Sequence, residues 1–493
     1  MNNLERSIIY IFLLTLFPVG FKCAIYIPFQ ILENDTLYNG NVLDIVKYWR
    51  NINLYSELMI GEPPNKIGVF LVSNIYELSL LQNMCDISNS FYNMENSSSY
   101  NFIKSINYYF NKVLKCSIIT EKLYLYTDKE QKNKTSIEEV KMIYSDNLEE
   151  DFNQDQIYKE ENKDKKYEYH PNTCLNIGFQ ARQNIGFGGE ANFVRQIKNY
   201  KINNISLVNT YDYFFDFTSD NNGYLIIGDL PHKLYSKEFK EEQYFLTAAK
   251  DKNYTFEWFI EFNSIYYKGK HQNNNSEYNV TINSSLPVKI DLTYGLVEGT
   301  NDYEKKIRKD FFDKLINDKE CFIEENKNEG YRFYYCNKKN INSIQKNFPS
   351  LKFVINEYGM SFEFGFKDLF KEKNDKIYFL IFFNTTKDFE RFSFGKIFLK
   401  KYTLSFNYDN KMIGFYNKNY KNESKEKIIY YEHDKIFIIL IIVGFIIFFI
   451  AGFFLGKKIY DKSKKRNANE LIDDYDYVSE EKKEEKPENA INN

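Results

Sequence analysis

Short runs of strand-forming residues recur along this chain of 493 residues, and they limit its fold more than any other feature. The runs at 67–72 (IGVFLV), 223–228 (GYLIIG) and 376–383 (KIYFLIFF) are rich in β-branched and aromatic residues, and turns rich in Asn, Gly and Lys separate them. Only 192–198 and 303–316 have helical character. The pattern predicts a mainly β protein, and a folded stretch of about 400 residues suits one large all-β domain or two lobes.

The N-terminus has the composition of an export signal. Arg6 precedes an apolar run at 7–21 (SIIYIFLLTLFPVGF), which is short for a membrane span and ends near Cys23 and Ala24. We predict a cleaved signal peptide at 1–24, and the alternative is a second membrane anchor.

A second apolar run, at 436–455, is uncharged and is long enough to cross a bilayer. At about 1.5 Å of rise per residue it covers about 30 Å, the thickness of the hydrocarbon core. Lysines and Arg466 follow it directly, and the positive-inside rule places that side in the cytosol. The sequence therefore predicts a single-pass type I membrane protein with a transmembrane helix at 436–455 and a cytosolic tail at 456–493. Its main domain is expected in the lumen of the secretory pathway or at the cell surface.

Charge and metal-ligand spacing exclude several classes of partner. The formal net charge is −3, which does not favour a nucleic-acid partner. The four histidines are scattered, and the cysteines show no metal-binding spacing, so we expect no metal and no cofactor.

Within the stretch at 54–80 (LYSELMIGEPPNKIGVFLVSNIYELSL), residues 55–69 resemble the first strands of the pepsin-like aspartic proteases, peptidase family A1. That family begins with a pattern such as YxGxIxIGTPPQxxxVxFDTGSS. Gly61, Pro63, Pro64 and Val69 fall on matching positions.

Further motifs of the same family follow in order along the chain. They are DGIxGLG at 184–188 with its short helix at 192–198, GxLxFGG at 223–228, YW at 256–258, the second active-site motif at 288–299, WxLGxxFL at 392–399 and the closing strand at 406–416. The resemblance implies a mainly β, two-lobed pepsin-like fold with an N-terminal lobe at 25–235 and a C-terminal lobe at 236–428. A highly charged stretch at 145–169 is predicted to be a solvated surface insertion within the first lobe.

The resemblance also implies one catalytic aspartate from each lobe, and one of them is missing. Counting from the Pro-Pro pair places Val72 where the first aspartate belongs, whereas the second motif keeps Asp291. Aspartic proteolysis needs two carboxylates that share a proton and hold a water, and an aliphatic side chain does neither. We therefore interpret Asp291 as a remnant of a catalytic pair.

Three other acidic residues are candidates to replace the missing aspartate. Glu62, Glu77 and Asp86 are nearest in sequence, and none follows an apolar strand directly before a small turn residue. A catalytic dyad tolerates little displacement, so substitution is disfavoured. Tyr126 is the best candidate for the family's flap tyrosine, and the alternative is that it is an ordinary strand residue.

Two cysteines are predicted to form a disulfide. Cys321 and Cys336 flank a polar, Gly-containing turn, and a disulfide near this point is common in the second lobe of the pepsin-like family. The pairing of Cys85, Cys116 and Cys174 stays open, with Cys85–Cys116 as the favoured pair.

Ten Asn-x-Ser/Thr sequons lie in the part predicted to be lumenal, which agrees with a glycoprotein. They are Asn34, Asn96, Asn133, Asn204, Asn253, Asn274, Asn279, Asn283, Asn384 and Asn422.

The sequence thus predicts a membrane-anchored, pepsin-like pseudoprotease that binds a peptide or protein in its cleft. The alternative is a divergent but active aspartic endopeptidase tethered to a membrane. A purely structural surface protein is a third possibility.

Overall fold

The computed structural model describes residues 24–31, 42–50, 54–72, 78–82, 96–110, 112–145, 173–178, 192–202, 205–249, 258–270, 277–283, 285–291, 294–385, 391–418 and 457–458. The predicted signal peptide apart from Ala24, the predicted membrane span and nearly all of the charged insertion lie outside these residues. Within the described ranges, no helix is both long enough and apolar enough to span a bilayer.

Strands dominate the described residues, as the recurring β-type runs predicted. They are β1 Ile25–Ile31, β2 Leu54–Ile60, β3 Asn65–Val72, β4 Leu78–Gln82, β5 Asn101–Phe110, β6 Lys112–Tyr126, β7 Lys134–Ser145, β8 Thr173–Gly178, β9 Lys201–Ile202, β10 Ile205–Ser206, β11 Asp212–Phe217, β12 Asn222–Ile227, β13 Tyr244–Ala248, β14 Trp258–Phe262, β15 Ser264–Lys270, β16 Glu277–Asn283, β17 Leu286–Ile290, β18 Val297–Gly299, β19 Cys321–Asn326, β20 Tyr331–Asn337, β21 Ser350–Ile355, β22 Met360–Phe364, β23 Phe370–Lys373, β24 Lys376–Asn384, β25 Ser393–Phe394, β26 Leu404–Asn407 and β27 Met412–Tyr416.

The helices are short. They are α1 Val42–Arg50, α2 Phe193–Asn199, α3 Pro231–Leu234, α4 Asn301–Ile307, α5 Asp313–Asn317, α6 Ile341–Asn347, α7 Phe366–Leu369 and α8 Lys396–Lys401. A π-helical turn, Arg308–Phe312, joins α4 to α5, and the 3-10 turns are Glu241–Gln243, Lys338–Asn340 and Asn356–Tyr358. The two stretches predicted as helical correspond to α2 and to the α4–α5 segment. Asn192 caps α2, because its side chain accepts a hydrogen bond from the Arg195 backbone N–H at 3.0 Å.

The strands form two main groups. A thirteen-stranded sheet has the order β13-β27-β26-β11-β12-β1-β2-β3-β8-β4-β7-β6-β5, so β26, near the end of the described chain, pairs with β11 of the first half. An eight-stranded sheet has the path β14-β17-β25-β18-β24-β20-β19, with β23 beside β24, and a four-stranded sheet has the order β16-β15-β21-β22.

The same crossing of strands occurs once in each main sheet. In the first, β8 lies between β3 and β4, parallel to β3 and antiparallel to β4, and β4 runs parallel to β7. In the second, β25 lies between β17 and β18, parallel to β17 and antiparallel to β18, and β18 runs parallel to β24. In each half, a later strand thus separates two strands that are consecutive in the chain. The candidate site lies at the ends of β3 and β17.

Aromatic side chains fill much of the interior of the second half. Phe394 and Phe398 stack with their ring centroids 4.2 Å apart, and Phe312 stacks on Tyr334 at 4.4 Å. Cys321 and Cys336 face each other across the β19–β20 hairpin and are joined by a disulfide. Cys85 lies outside the described residues, so the structure does not describe the favoured Cys85–Cys116 pair.

Candidate functional site

Asp291 follows β17 directly and is buried. Its side chain is 4% exposed, and its backbone N–H donates to the Phe394 carbonyl at 2.7 Å. Because Ile290 is in register with Phe394 of the parallel strand β25, the next residue, Asp291, lies opposite Gly395.

Val72 occupies the corresponding place in the first half of the molecule. It is the last residue of β3 and is in register with Gly178 of the parallel strand β8. Asp291 thus lies opposite Gly395, and Val72 lies opposite Gly178. Each glycine directly follows an apolar residue of the crossing strand. The side chain of Val72 is half-buried and carries no group that binds water or transfers a proton.

A lysine is bound to the carboxylate of Asp291. Lys289 Nζ lies 2.8 Å from Asp291 Oδ2, and its side chain is 16% exposed. The two residues are two positions apart, so their side chains leave the chain on the same side. A partly buried ammonium group from the same strand segment therefore neutralises the charge of Asp291, whereas a catalytic dyad requires a second carboxyl group that shares a proton.

A second buried acid lies on the next strand. Glu298 of β18 is 4% exposed, and its carboxylate is hydrogen-bonded by the side chains of Asn384 and Ser393. Burial raises the pKa of Glu298, and the positive charge of Arg50 offsets part of that shift. Sequence reasoning did not single out Glu298 or Lys289.

Backbone contacts hold the loop after Asp291, where the family's motif has Gly and Ser/Thr residues. Lys396 N–H donates to the Tyr294 carbonyl at 2.9 Å, and Gly295 N–H donates to the Arg50 carbonyl at 3.0 Å. The backbone at 395–396 can lie this close to Tyr294 only with a glycine at 395, because a Cβ atom on Gly395 would lie 1.9 Å from the Tyr294 carbonyl oxygen.

The end of α1 covers the same loop. The Arg50 guanidinium lies over the rings of Tyr331 and Phe382, at 4.7 and 4.8 Å from their centroids, and over Tyr294 at 5.9 Å. Burial, followed by the charges of Glu298 and Asp291, raises the pKa of Tyr294. Arg50 therefore neutralises part of the negative charge of this region.

Of the three acids proposed as substitutes, the structure describes Glu62. Glu62 is exposed in the turn after β2 and pairs with Lys122 at 3.4 Å. Glu77 and Asp86 lie outside the described residues. The first half does contain a fully buried carboxylate, Glu121 of β6, which accepts hydrogen bonds from the Ser99 hydroxyl and from the Lys122 N–H.

Tyr126 belongs to a hairpin whose tip is fixed. It ends β6 and is in register with Tyr26 of β1. In the tip between β6 and β7, Lys129 Nζ lies 2.8 Å from Asp216 Oδ2, and the Lys129 carbonyl accepts a hydrogen bond from the Tyr224 hydroxyl at 3.2 Å. These contacts support the alternative that Tyr126 is a strand residue.

One motif position needs correction. The sequence interpretation assigned the family's DGIxGLG strand to 184–188, which lies outside the described residues. The strand that crosses beside β3 is β8, which ends at Gly178. The letters NIGF occur twice, at 176–179 and at 184–187, so the sequence alone offered two candidates.

The sequons differ in exposure. Among the five that are described, Asn96, Asn133 and Asn279 are exposed, and Asn283 is half-buried. The side chain of Asn384 is hydrogen-bonded to the buried Glu298, which is a poor position for a glycan. Asn34, Asn204, Asn253, Asn274 and Asn422 lie outside the described residues. Among the described residues, no group of three His, Cys, Asp or Glu side chains is arranged to hold a metal ion.

Comparison with solved structures identifies the fold. A crystal structure of basic 7S globulin from soybean matches with a TM-score of 0.52 and 11% identity, covering 80% of this chain and 95% of that one. A crystal structure of conglutin gamma, a basic 7S globulin from lupine seeds, matches with a TM-score of 0.53 and 10% identity, with the same coverage. At this identity the likeness shows the fold alone, which is mainly β and pepsin-like. No protein-family model matches the chain, and no curated protein matches it.

Proposed function

We propose that this chain is a non-catalytic, pepsin-fold binding protein that takes a peptide or protein in its cleft. The ion pair between Lys289 and Asp291 carries the proposal. Lys289 is bound to one carboxylate oxygen of Asp291, and the corresponding place in the other half is taken by Val72. The pair of carboxyl groups that aspartic proteolysis needs is thus incomplete, whereas the strand crossings that would shape a cleft are kept.

The cellular setting of this proposal rests on the sequence. The apolar segments at 7–21 and 436–455 support a type I membrane protein of the secretory pathway or cell surface, with its main domain in the lumen or outside the cell. Exposed sequons at Asn96, Asn133 and Asn279 support N-glycosylation at these positions.

Binding without cleavage is the property to test. The purified full chain would be immobilised in detergent and incubated with a library of randomised hexapeptides from acid to neutral pH. Mass spectrometry of the eluate is expected to show intact peptides enriched for particular sequences. Cleavage products would support the endopeptidase instead, and absence of enrichment would leave a purely structural role.

A pair of variants locates the binding. Val72→Arg places a large charged side chain at the half-buried end of β3 and is expected to abolish the enrichment. Ile205→Arg, at a position 44% exposed on the short β9–β10 hairpin, is the matched control and is expected to leave it unchanged. Equal enrichment by both variants would place the peptide outside the cleft.

A further inference from the structure

The helix α1 lies on a largely aromatic surface next to Asp291. Its buried residues Val42, Ile45, Val46 and Trp49 have the i, i+3, i+4, i+7 spacing of a single helix face. They form one cluster with side chains of β20, β24 and the Asp291 loop, namely Leu296, Tyr331, Phe333, Tyr378, Leu380 and Phe382. Trp49 meets the Tyr378 ring edge-on at 5.2 Å.

The rim of this contact is charged and complementary. Lys47 and Arg50, both in the last turn of α1, lie 3.0 and 3.2 Å from the two carboxylate oxygens of Glu329. The helix ends where its last carbonyl, that of Arg50, accepts the Gly295 N–H. An apolar helix face thus meets a largely aromatic surface, and Glu329 of that surface binds the basic end of the helix.

The segment that contains α1 is not needed to connect its neighbours. β1 and β2 are adjacent antiparallel strands, with Gln30 in register with Tyr55. A hairpin of this kind closes with about two to five residues, yet residues 32–53 connect β1 to β2 in this chain, and α1 within this connection packs on the second main sheet. α1 buries an aromatic surface that would otherwise be an exposed apolar patch, and such patches are typical of protein interaction sites.

We propose that α1 is an internal ligand of this surface, and that a peptide helix with the same apolar face and a basic C-terminal end binds beside Asp291 only by displacing α1. This inference rests on the proposed binding role and names the kind of ligand. Docking of an amphipathic helix into an apolar groove is a general mode of peptide recognition.

The chain's own segment is the probe. A fluorescent peptide of residues 40–53 would be titrated with the full-length protein and followed by anisotropy. A tethered helix has an effective concentration on the order of millimolar, so wild-type protein is expected to bind the peptide weakly. The double variant Val46→Asp/Trp49→Ala frees the surface and is expected to bind at least about tenfold more tightly than wild type.

Two matched controls accompany the titration. A peptide that carries the same two substitutions should not bind. The protein variant Ile202→Asp, which makes the same kind of change at a residue 44% exposed, should behave as wild type.

Hydrogen exchange at the Gly295 amide reports whether α1 has left. Loss of protection at Gly295 without peptide binding would overturn the proposal, as would equal binding by wild type and the double variant. If the double variant does not fold, Lys47→Glu removes an ion pair with Glu329 at the rim and is judged by the same criteria. Because the probe is the chain's own segment, failure of the hexapeptide experiment would not affect this result.

Discussion

The ends of β3 and β17 have the same strand neighbours but carry different chemistry. Each strand runs parallel to a later crossing strand, and a glycine of that crossing strand, Gly178 or Gly395, lies opposite its end. The end of β3 presents Val72, and the end of β17 presents Asp291 with Lys289 bound to it. The comparison shows that the same strand crossing can carry an aliphatic residue in one half of the molecule and an acidic residue in the other.

The region of Asp291 contains two buried acids. Asp291 and Glu298 are both nearly fully buried, and Lys289 and Arg50 lie close enough to offset their charges. Removing a single member of such a group leaves an unpaired charge in the interior, which is costly. We therefore expect the Asp291 loop to depend on its charges for stability rather than for catalysis.

Gly395→Ala should have the largest effect on the Asp291 loop. The added Cβ would lie 1.9 Å from the Tyr294 carbonyl oxygen, so the crossing strand must move. We expect a loss of about 3–4 kcal/mol in the free energy of unfolding, measured by denaturant titration. Gly365→Ala is the control, because its nearest contact would be 4.0 Å away. Equal stability of the two variants would show that the close approach is not required.

Lys289→Ala should have the next largest effect. It removes the cation that lies 2.8 Å from the buried carboxylate of Asp291, and we expect a loss of about 3 kcal/mol in the free energy of unfolding. The double variant Lys289→Met/Asp291→Leu removes both charges and should lose less than about 1 kcal/mol. If the double variant loses as much free energy of unfolding as the two single substitutions together, the ion pair does not stabilise the protein.

Glu298→Gln should change the dependence of stability on pH. Burial raises the pKa of Glu298 in the folded state, so the unfolded chain loses this proton first as pH rises. The wild-type protein therefore loses stability as the pH rises from the pKa of Glu298 in the unfolded chain to its higher pKa in the folded protein. The glutamine variant has no such loss, because its side chain does not titrate. The Tm of Glu298→Gln minus that of wild type is expected to increase from acid to neutral pH. A difference that is constant or falls would contradict the raised pKa.

Val72→Asp should have the smallest effect. The position is half-buried at the end of a strand, so we expect a change of less than about 1 kcal/mol in the free energy of unfolding. Restoring a carboxyl group here should not produce peptide hydrolysis while Lys289 holds Asp291. Turnover by Val72→Asp alone would show that the second loop is catalytically competent and that Val72 is the only defect.

The sequence predicted the scaffold better than the details of the site. The Pro63-Pro64 spacing identified Val72, and the strand-forming runs predicted a mainly β fold. Placement of the crossing strand failed, because NIGF occurs at both 176–179 and 184–187 and only pairing with β3 distinguishes them.

The contacts around Asp291 depend on information that no local pattern contains. The spacing of Lys289 and Asp291 on one side of the chain was visible in the sequence, but their pairing depends on how deeply that side is buried. The contact of Arg50 with Gly295 depends on the path of the segment between β1 and β2. Glu298 is an acid in a short strand whose burial the sequence does not indicate. Tertiary packing determines each of these features.

Peptide turnover by the full-length protein tests the central claim most directly. Purified wild type and Asp291→Ala would be incubated with a mixture of peptide substrates from acid to neutral pH, with and without pepstatin. We predict that wild type gives no more cleavage than Asp291→Ala and that pepstatin has no effect. Cleavage that pepstatin inhibits and that Asp291→Ala abolishes would show that the chain is an active aspartic endopeptidase.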